Sequence, residues 1–320
     1  MVEQLTRNEQ VLGSSPSSGS SRRRGAVKAS RRLGFLIMPD LLSWLETCEV
    51  CPNFCRVNRL EGARGRCRSG SGIAVSSADL HYGEEAVLVG RGGSGTIFFT
   101  GCNLRCVYCQ NYDISQLDYG RSVSQSELVR IMLSLQRRGA ENINLVTPTH
   151  QAAQIFVAVR EARRRGLNLP IVYNCGGYEN PVFLRELEGL VQIYMPDFKY
   201  GGDPAGLKYS GVEGYAVWCR KTLLEMHRQV GDLEVNARGV ATKGLLVRHL
   251  VLPERIADST RVIDFLSREI SPDTYLNIMD QYHPAYHASE YKELRRKVFR
   301  QEVEELRYYA RKRGMNRLAR

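Results

Sequence analysis

The 320-residue chain predicts an α/β architecture: a partial (β/α)6 barrel with a small N-terminal cysteine-rich metal-binding module and a C-terminal helix. Three observations carry this expectation. From about residue 86 onward, short apolar runs alternate about six times with stretches whose apolar residues recur every three or four positions, the pattern of strands between helices. Such alternation makes a parallel sheet with helices outside, and right-handed crossovers curl it into a barrel or part of one. Polar residues and cysteines gather where the strands should end, the usual place for chemistry in such a barrel.

The elements follow in order. Residues 1–33 are rich in Ser, Gly and Arg and poor in large apolar residues, so they cannot offset the entropy of ordering and read as a disordered tail. An Arg- and Ser-rich start is also a transit-peptide trait, which Glu3 and Glu9 oppose. Residues 34–85 are the cysteine-rich module, opening with a short apolar helix after Pro39. The barrel takes residues 86–285, its first strand expected over 95–101. Ser124 caps a helix to about residue 138, in which Leu128, Ile131, Met132 and Leu135 recur at helical intervals. A strand over 142–147, a helix over 151–165 and a strand over 170–174 come next, then a helix opened by Pro181, a residue suited to a first turn. Further strands are expected over 191–196, 245–252 and 274–279, with helices near 215–230 and 261–268. Residues 286–320 hold a basic helix, expected over 290–313.

No apolar run approaches the roughly 18 residues that span a bilayer, and the start lacks a secretory pattern. Nine cysteines in such a chain indicate reduced, metal-binding thiols rather than a disulfide framework. A cytoplasmic setting is expected and a membrane partner is not. The net charge of +11 resembles a nucleic-acid signal until it is located. Residues 21–32 carry six positive charges and no acid, and residues 292–320 carry eleven against four acids, so the rest is close to neutral. Basic ends mainly set solubility and loose attraction, so nucleic acid is not an expected partner.

The chemistry concentrates in Thr100-Gly101-Cys102-Asn103-Leu104-Arg105-Cys106-Val107-Tyr108-Cys109-Gln110-Asn111, directly after the apolar run Thr96-Ile97-Phe98-Phe99. The spacing Cys-x3-Cys-x2-Cys supplies three thiolates where a cubane [4Fe–4S] cluster ordinarily takes four, leaving one iron open. Zinc would ask for four ligands and closed knuckle spacings. The run resembles the signature of the radical S-adenosylmethionine (SAM) enzymes. In these, SAM chelates the open iron and one electron cleaves it to a 5′-deoxyadenosyl radical. Tyr108 falls where that signature has an aromatic residue, at the cofactor site. Arg91-Gly92-Gly93-Ser94-Gly95-Thr96-Ile97-Phe98-Phe99-Thr100-Gly101 and Leu245-Leu246-Val247-Arg248-His249-Leu250-Val251-Leu252-Pro253 narrow the match. Over about residues 48–285 the chain resembles the pyruvate formate-lyase-activating enzyme branch, especially its uncharacterised relatives with an N-terminal cysteine group.

The resemblance implies SAM contacts at other strand ends. Tyr173-Asn174-Cys175-Gly176-Gly177 stands where the activating enzymes carry an acid followed by Thr-Asn-Gly, making Asn174 a hydrogen-bonding substitute. Met195-Pro196-Asp197-Phe198-Lys199 resembles their Asp-Leu-Lys, whose lysine meets the methionine carboxylate. Asp197 and Lys199 are therefore expected at the cofactor, an ordinary surface pair being the alternative. One departure is the missing Gly-Gly-Glu that holds the SAM amino group in many such enzymes. The matching run, Leu145-Val146-Thr147-Pro148-Thr149-His150, leaves Thr147, Thr149 and backbone carbonyls for that task. At the last strand, Asp280, Gln281, Tyr282 and His283 either meet substrate or form a polar loop.

Cys48-Glu49-Val50-Cys51-Pro52-Asn53-Phe54-Cys55, with Cys67, gives Cys-x2-Cys-x3-Cys-x11-Cys. Four thiolates in a short polar segment can close a second site, either structural zinc or an auxiliary iron–sulfur cluster. The function expected is reductive SAM cleavage followed by hydrogen-atom abstraction, with activation of a glycyl-radical enzyme as what the resemblance suggests. Its implied partners are a flavodoxin- or ferredoxin-type one-electron donor and a protein substrate. The alternatives are modification of another peptide, an RNA or a small molecule, or a non-catalytic iron–sulfur or zinc protein.

Overall fold

Residues 40–319 are described by the structure, a computed structural model. The expected tail over 1–33 and the start of the following apolar segment lie outside the described residues. In chain order the elements are β1 (Ile73–His81), α1 (Ala86–Val89), β2 (Ser94–Phe99), α2 (Tyr112–Ser115), β3 (Arg121–Val123) and α3 (Gln125–Arg137). Then come β4 (Ile143–Val146), α4 (Ala152–Arg164), β5 (Ile171–Cys175), α5 (Pro181–Arg185), β6 (Ile193–Pro196), α6 (Asp203–Ser210) and α7 (Tyr215–Val230). The chain closes with β7 (Glu234–Val235), β8 (Ala241–Leu250), α8 (Ser259–Phe265), β9 (Tyr275–Met279) and α9 (Arg300–Lys312).

Six strands, β2, β4, β5, β6, β8 and β9, are parallel neighbours in that order, which is the partial barrel expected from the alternation. Local chemistry sets the helix starts: the Ser124 hydroxyl accepts the Glu127 N–H at 3.2 Å, and Pro181 sits in the first turn of α5 behind Asn180. Alternate strand residues divide two apolar layers. Leu145, Tyr173, Tyr194 and Val247 pack outward with Met132, Phe156, Val159 and Leu223 of the helices. Each large apolar side chain fully buried there contributes roughly 1.5–3 kcal/mol. Inside the barrel, Leu88, Val172, Ile193, Met195 and Leu246 form a separate apolar floor. The next residues on that inner face, toward the C-terminal strand ends, are Asn174, Asp197 and Arg248. The site begins where the floor stops.

Two regions differ from the sequence expectation. β1 lies within residues 34–85 yet joins the sheet, antiparallel to both β2 and β3, with Ile73 and Val75 buried. The C-terminal helix is shorter than 290–313 because 3-10 turns at Ala288–Glu290 and Lys292–Leu294 precede α9. The Leu294 carbonyl, which a continuous helix would use internally, instead accepts the Tyr282 hydroxyl at 2.7 Å. Beyond α9 the chain returns to β9: Leu276 donates to Arg317 O at 3.0 Å and Ala319 to Leu276 O at 2.9 Å. That pairing covers the outer edge of the last barrel strand.

Candidate active site

The loop after β2 brings Cys102, Cys106 and Cys109 into one neighbourhood, close enough that ionising one would act on the others. Each sulfur has a polar partner. Leu104 N–H lies 3.4 Å from Cys102 Sγ, Ser210 Oγ 2.9 Å from Cys106 Sγ, and Ser115 Oγ 3.1 Å from Cys109 Sγ. Burial pushes the Cys106 thiol up to about 11 despite the opposing Lys199 charge, and drives Cys102 up as well. Thiols so placed ionise when a metal supplies the missing positive charge. Tyr108 is buried beside the loop, its hydroxyl 2.6 Å from Tyr200 OH, and Tyr200 OH lies 2.8 Å from Ser210 Oγ. A hydrogen-bond chain therefore runs from Tyr108 through Tyr200 and Ser210 to Cys106.

Across the barrel mouth stands a charge cluster. Lys199 Nζ donates to Asp197 Oδ2 at 2.7 Å, Arg248 Nε to Asp197 Oδ1 at 2.9 Å, and Arg248 to Asn174 Oδ1 at 2.7 Å. The side chains of Asp197, Lys199 and Arg248 are only 15%, 16% and 17% exposed, so this is no surface pair. Burial raises the Asp197 carboxyl, but the Arg248 and Lys199 charges outweigh it and hold the group ionised below its usual range. Burial lowers Lys199, yet the Asp197 carboxylate and the Cys106 sulfur raise it on balance. Gly177, at φ 76°, lets the end of β5 lie against this turn, since a Cβ there would collide with Asp197 O. Tyr215 OH ties both ends, donating toward Gly176 O at 2.8 Å and Asp197 O at 2.9 Å while accepting Lys199 N–H at 2.9 Å.

The run after β4 is partly committed elsewhere. Thr149 Oγ1 donates to the buried Glu179 at 2.7 Å, and His150 Nε2 lies 2.8 Å from Thr100 O. His150 is buried, which lowers its pKa to about 4. Thr147 holds φ 57°, an outlier for a β-branched residue, directly at the strand end.

The N-terminal cysteines form a second group. Cys51 feels the charges of Cys67 and Cys48, and burial is the main force that raises its thiol to about 12. Donors point at these sulfurs too: Asn53 Nδ2 at 3.5 Å from Cys51, Arg59 at 3.7 Å from Cys48, and Arg66 N–H at 3.3 Å from Cys55. Gly65 permits the last contact, because a Cβ would sit 2.7 Å from Cys55 Sγ. Among the described residues, no three His, Cys, Asp or Glu side chains are drawn close enough to hold a single ion. Both cysteine groups are thus gathered without closing on one point.

Residues 96–201 match the family model of the radical SAM superfamily. The uncharacterised protein MJ0674 of Methanocaldococcus jannaschii is 33% identical over 269 residues, covering 81% of this chain and 72% of that one. The chain belongs to the radical SAM superfamily. Among solved structures it is similar to the radical SAM methyltransferase TsrM of Kitasatospora setae, with cobalamin and a [4Fe–4S] cluster bound, at TM-score 0.43, 17% identity and 59% coverage of this chain. It is also similar to SuiB of Streptococcus suis bound to the precursor peptide SuiA, at TM-score 0.44, 10% identity and 66% coverage. The chain spans 37% and 43% of the lengths of those two.

The superfamily uses a [4Fe–4S] cluster and SAM, and the donor set here fits both. Three cysteines with sulfur-directed donors suit a cluster with one open iron, and the buried cations Lys199 and Arg248 suit a carboxylate. Asn144, fully buried on the inner face of β4, has neither side-chain amide atom paired, which leaves a donor and an acceptor for a bound polar group. Arg248 and Ser210 are absent from the sequence-derived site. Arg248 stands two residues after Leu246 on the inward register of β8, so period-2 counting along 245–252 would have found it. Ser210 closes α6, a helix whose Pro204 and Gly206 give it no helical signature in the sequence.

Proposed function

We propose that this chain reductively cleaves SAM and abstracts a hydrogen atom from a substrate held in the barrel. The observation that carries this reading is the nearness of the buried Lys199–Asp197 pair to the loop thiols, Lys199 acting on both Cys102 and Cys106. Cys102, Cys106 and Cys109 would hold the cluster through their thiolates. Lys199 and Arg248 hold the methionine carboxylate by charge-assisted bonds, with Asp197 fixing both cations in place. Asn174 and Thr147 offer polar contacts at the neighbouring strand ends, and Tyr108 steadies the cysteine loop through Tyr200. When bound, the cluster and SAM would supply one-electron cleavage chemistry and a radical able to take a hydrogen atom from the substrate, with a flavodoxin- or ferredoxin-type protein as the electron donor.

The finer form of this reading is activation of a glycyl-radical enzyme, supported by the sequence resemblance alone. The second cysteine group, Cys48, Cys51, Cys55 and Cys67, binds its own zinc or auxiliary cluster in this account, supported by the three donors aimed at its sulfurs. Electron paramagnetic resonance tests the main claim. The reduced, reconstituted cluster should show a spectrum that changes on adding SAM, and Lys199→Ala should need more SAM to produce the change. A spectrum indifferent to SAM would remove the reading.

A further inference from the structure

A cavity of about 550 Å³ opens on the barrel interior, between β9 and the chain that leads from β1 into α1. Its polar wall includes Glu84, Glu85, Arg248, Asn277 and Gln281, and its apolar wall includes Val87 and Met279. This volume suits a small ligand or one extended side chain. The carboxylates are unevenly matched. Glu85 Oε1 accepts the Asn277 amide at 2.9 Å, while Glu85 Oε2 is buried with no hydrogen-bond partner. Glu84 is only 10% exposed; the half-exposed His81 imidazole lies 3.6 Å from it, and the nearest permanent cation, Arg248, stands 3.8 Å away and is already engaged by Asp197 and Asn174. Three carboxylates, Glu84, Glu85 and Asp197, thus face two cations, Arg248 and Lys199.

We propose that Glu84 and Glu85 are a substrate subsite for a primary ammonium group carried on a short alkyl stem. The inference deepens the function proposed above and rests on it. The methionine carboxylate would draw on the same two cations, Lys199 and Arg248, so neither is free to turn to Glu84 and Glu85. An ammonium has three donors and can satisfy Glu85 Oε2 and Glu84 together. The stem lies along Val87 and Met279. Burial of Glu84 raises its carboxyl pKa, the condition an incoming cation relieves. The same ammonium can come from a lysine side chain of a peptide or from a free alkylamine.

Calorimetry on the cluster- and SAM-loaded protein tests this with three probes: N-acetyl-L-lysine methylamide, its norleucine counterpart lacking only the ammonium, and n-pentylamine. The lysine derivative should bind about tenfold or more tighter than the norleucine one. Comparable binding of n-pentylamine would mark a free amine as the source, and weaker binding a peptide side chain. In Glu85→Gln, whose amide oxygen can still accept from Asn277, the preference should fall below about threefold while SAM affinity stays unchanged. Equal binding of lysine and norleucine derivatives, or no binding of any probe, overturns the proposal. So does a loss of SAM affinity in Glu85→Gln, which would give these carboxylates to the SAM amino group instead. SAM cleavage measured on the same samples separates the two claims: ammonium-selective binding without cleavage sinks the radical chemistry and leaves the subsite standing.

Discussion

Arg248 on β8 reaches Asp197, beyond the end of β6, at 2.9 Å through Nε, and the same guanidinium reaches Asn174 of β5 at 2.7 Å. One planar fork therefore ties three strand ends and presents a buried cation beside Lys199. An ammonium cannot span both contacts. Arg248→Lys should weaken SAM binding by about tenfold, and Lys199→Ala by about ten- to a hundred-fold, the loss of one charge-assisted bond. Iron at the barrel cluster should stay at the unmodified level in both. Equilibrium dialysis with SAM and iron analysis of the same samples make the check; unaltered dissociation constants would reduce both residues to scaffolding.

Glu179 sets a pH dependence. It is fully enclosed, accepting Thr149 Oγ1 at 2.7 Å and Tyr173 OH at 2.9 Å, and burial raises its pKa from 4.5 to about 7. The unfolded chain loses this proton first as pH rises, so the native state binds more protons between the two values and stability must fall across that window. The loss is on the order of 3 kcal/mol by pH 8. Glu179→Gln should flatten it. Urea midpoints at pH 5 and pH 8 decide, and an equal fall in both proteins would exclude Glu179 as the source.

The N-terminal cysteine group should hold metal without the barrel cluster. A variant lacking Cys102, Cys106 and Cys109 should retain one zinc, or the iron of one cluster, by elemental analysis after reconstitution. Removing Cys48 and Cys51 should abolish that metal and speed hydrogen exchange over residues 45–70. Arg59 makes the segment's order sensitive to the site, because it bonds Cys48 Sγ, Gly70 O and His150 O from a buried position. A metal-free triple variant with an equally protected segment would make these cysteines packing residues.

The six parallel strands were legible because each couples a short apolar run to a helix of clear period, and Ser124 and Pro181 carried helix starts in their own chemistry. β1 was not, because only Ile73 and Val75 at its start are buried while residues 76–81 are largely polar or exposed. The same limit hid α6, whose Pro204 and Gly206 resemble a loop until Tyr215 packs over the glycine. At the candidate site, spacing and resemblance single out Cys102, Cys106 and Cys109, and the structure brings the three together on the loop after β2. Glu84, Glu85 and Arg248 meet only through tertiary contact: Arg248 comes from a strand more than 150 residues after the glutamates. No local pattern announces that meeting.

The central claim meets its most direct test in the products of SAM. Anaerobically reconstituted protein, reduced with dithionite and given SAM, should release 5′-deoxyadenosine and methionine in equal amounts, and Cys106→Ala should release neither above background. Cleavage at the unmodified rate in a variant lacking Cys102, Cys106 and Cys109 would contradict the account.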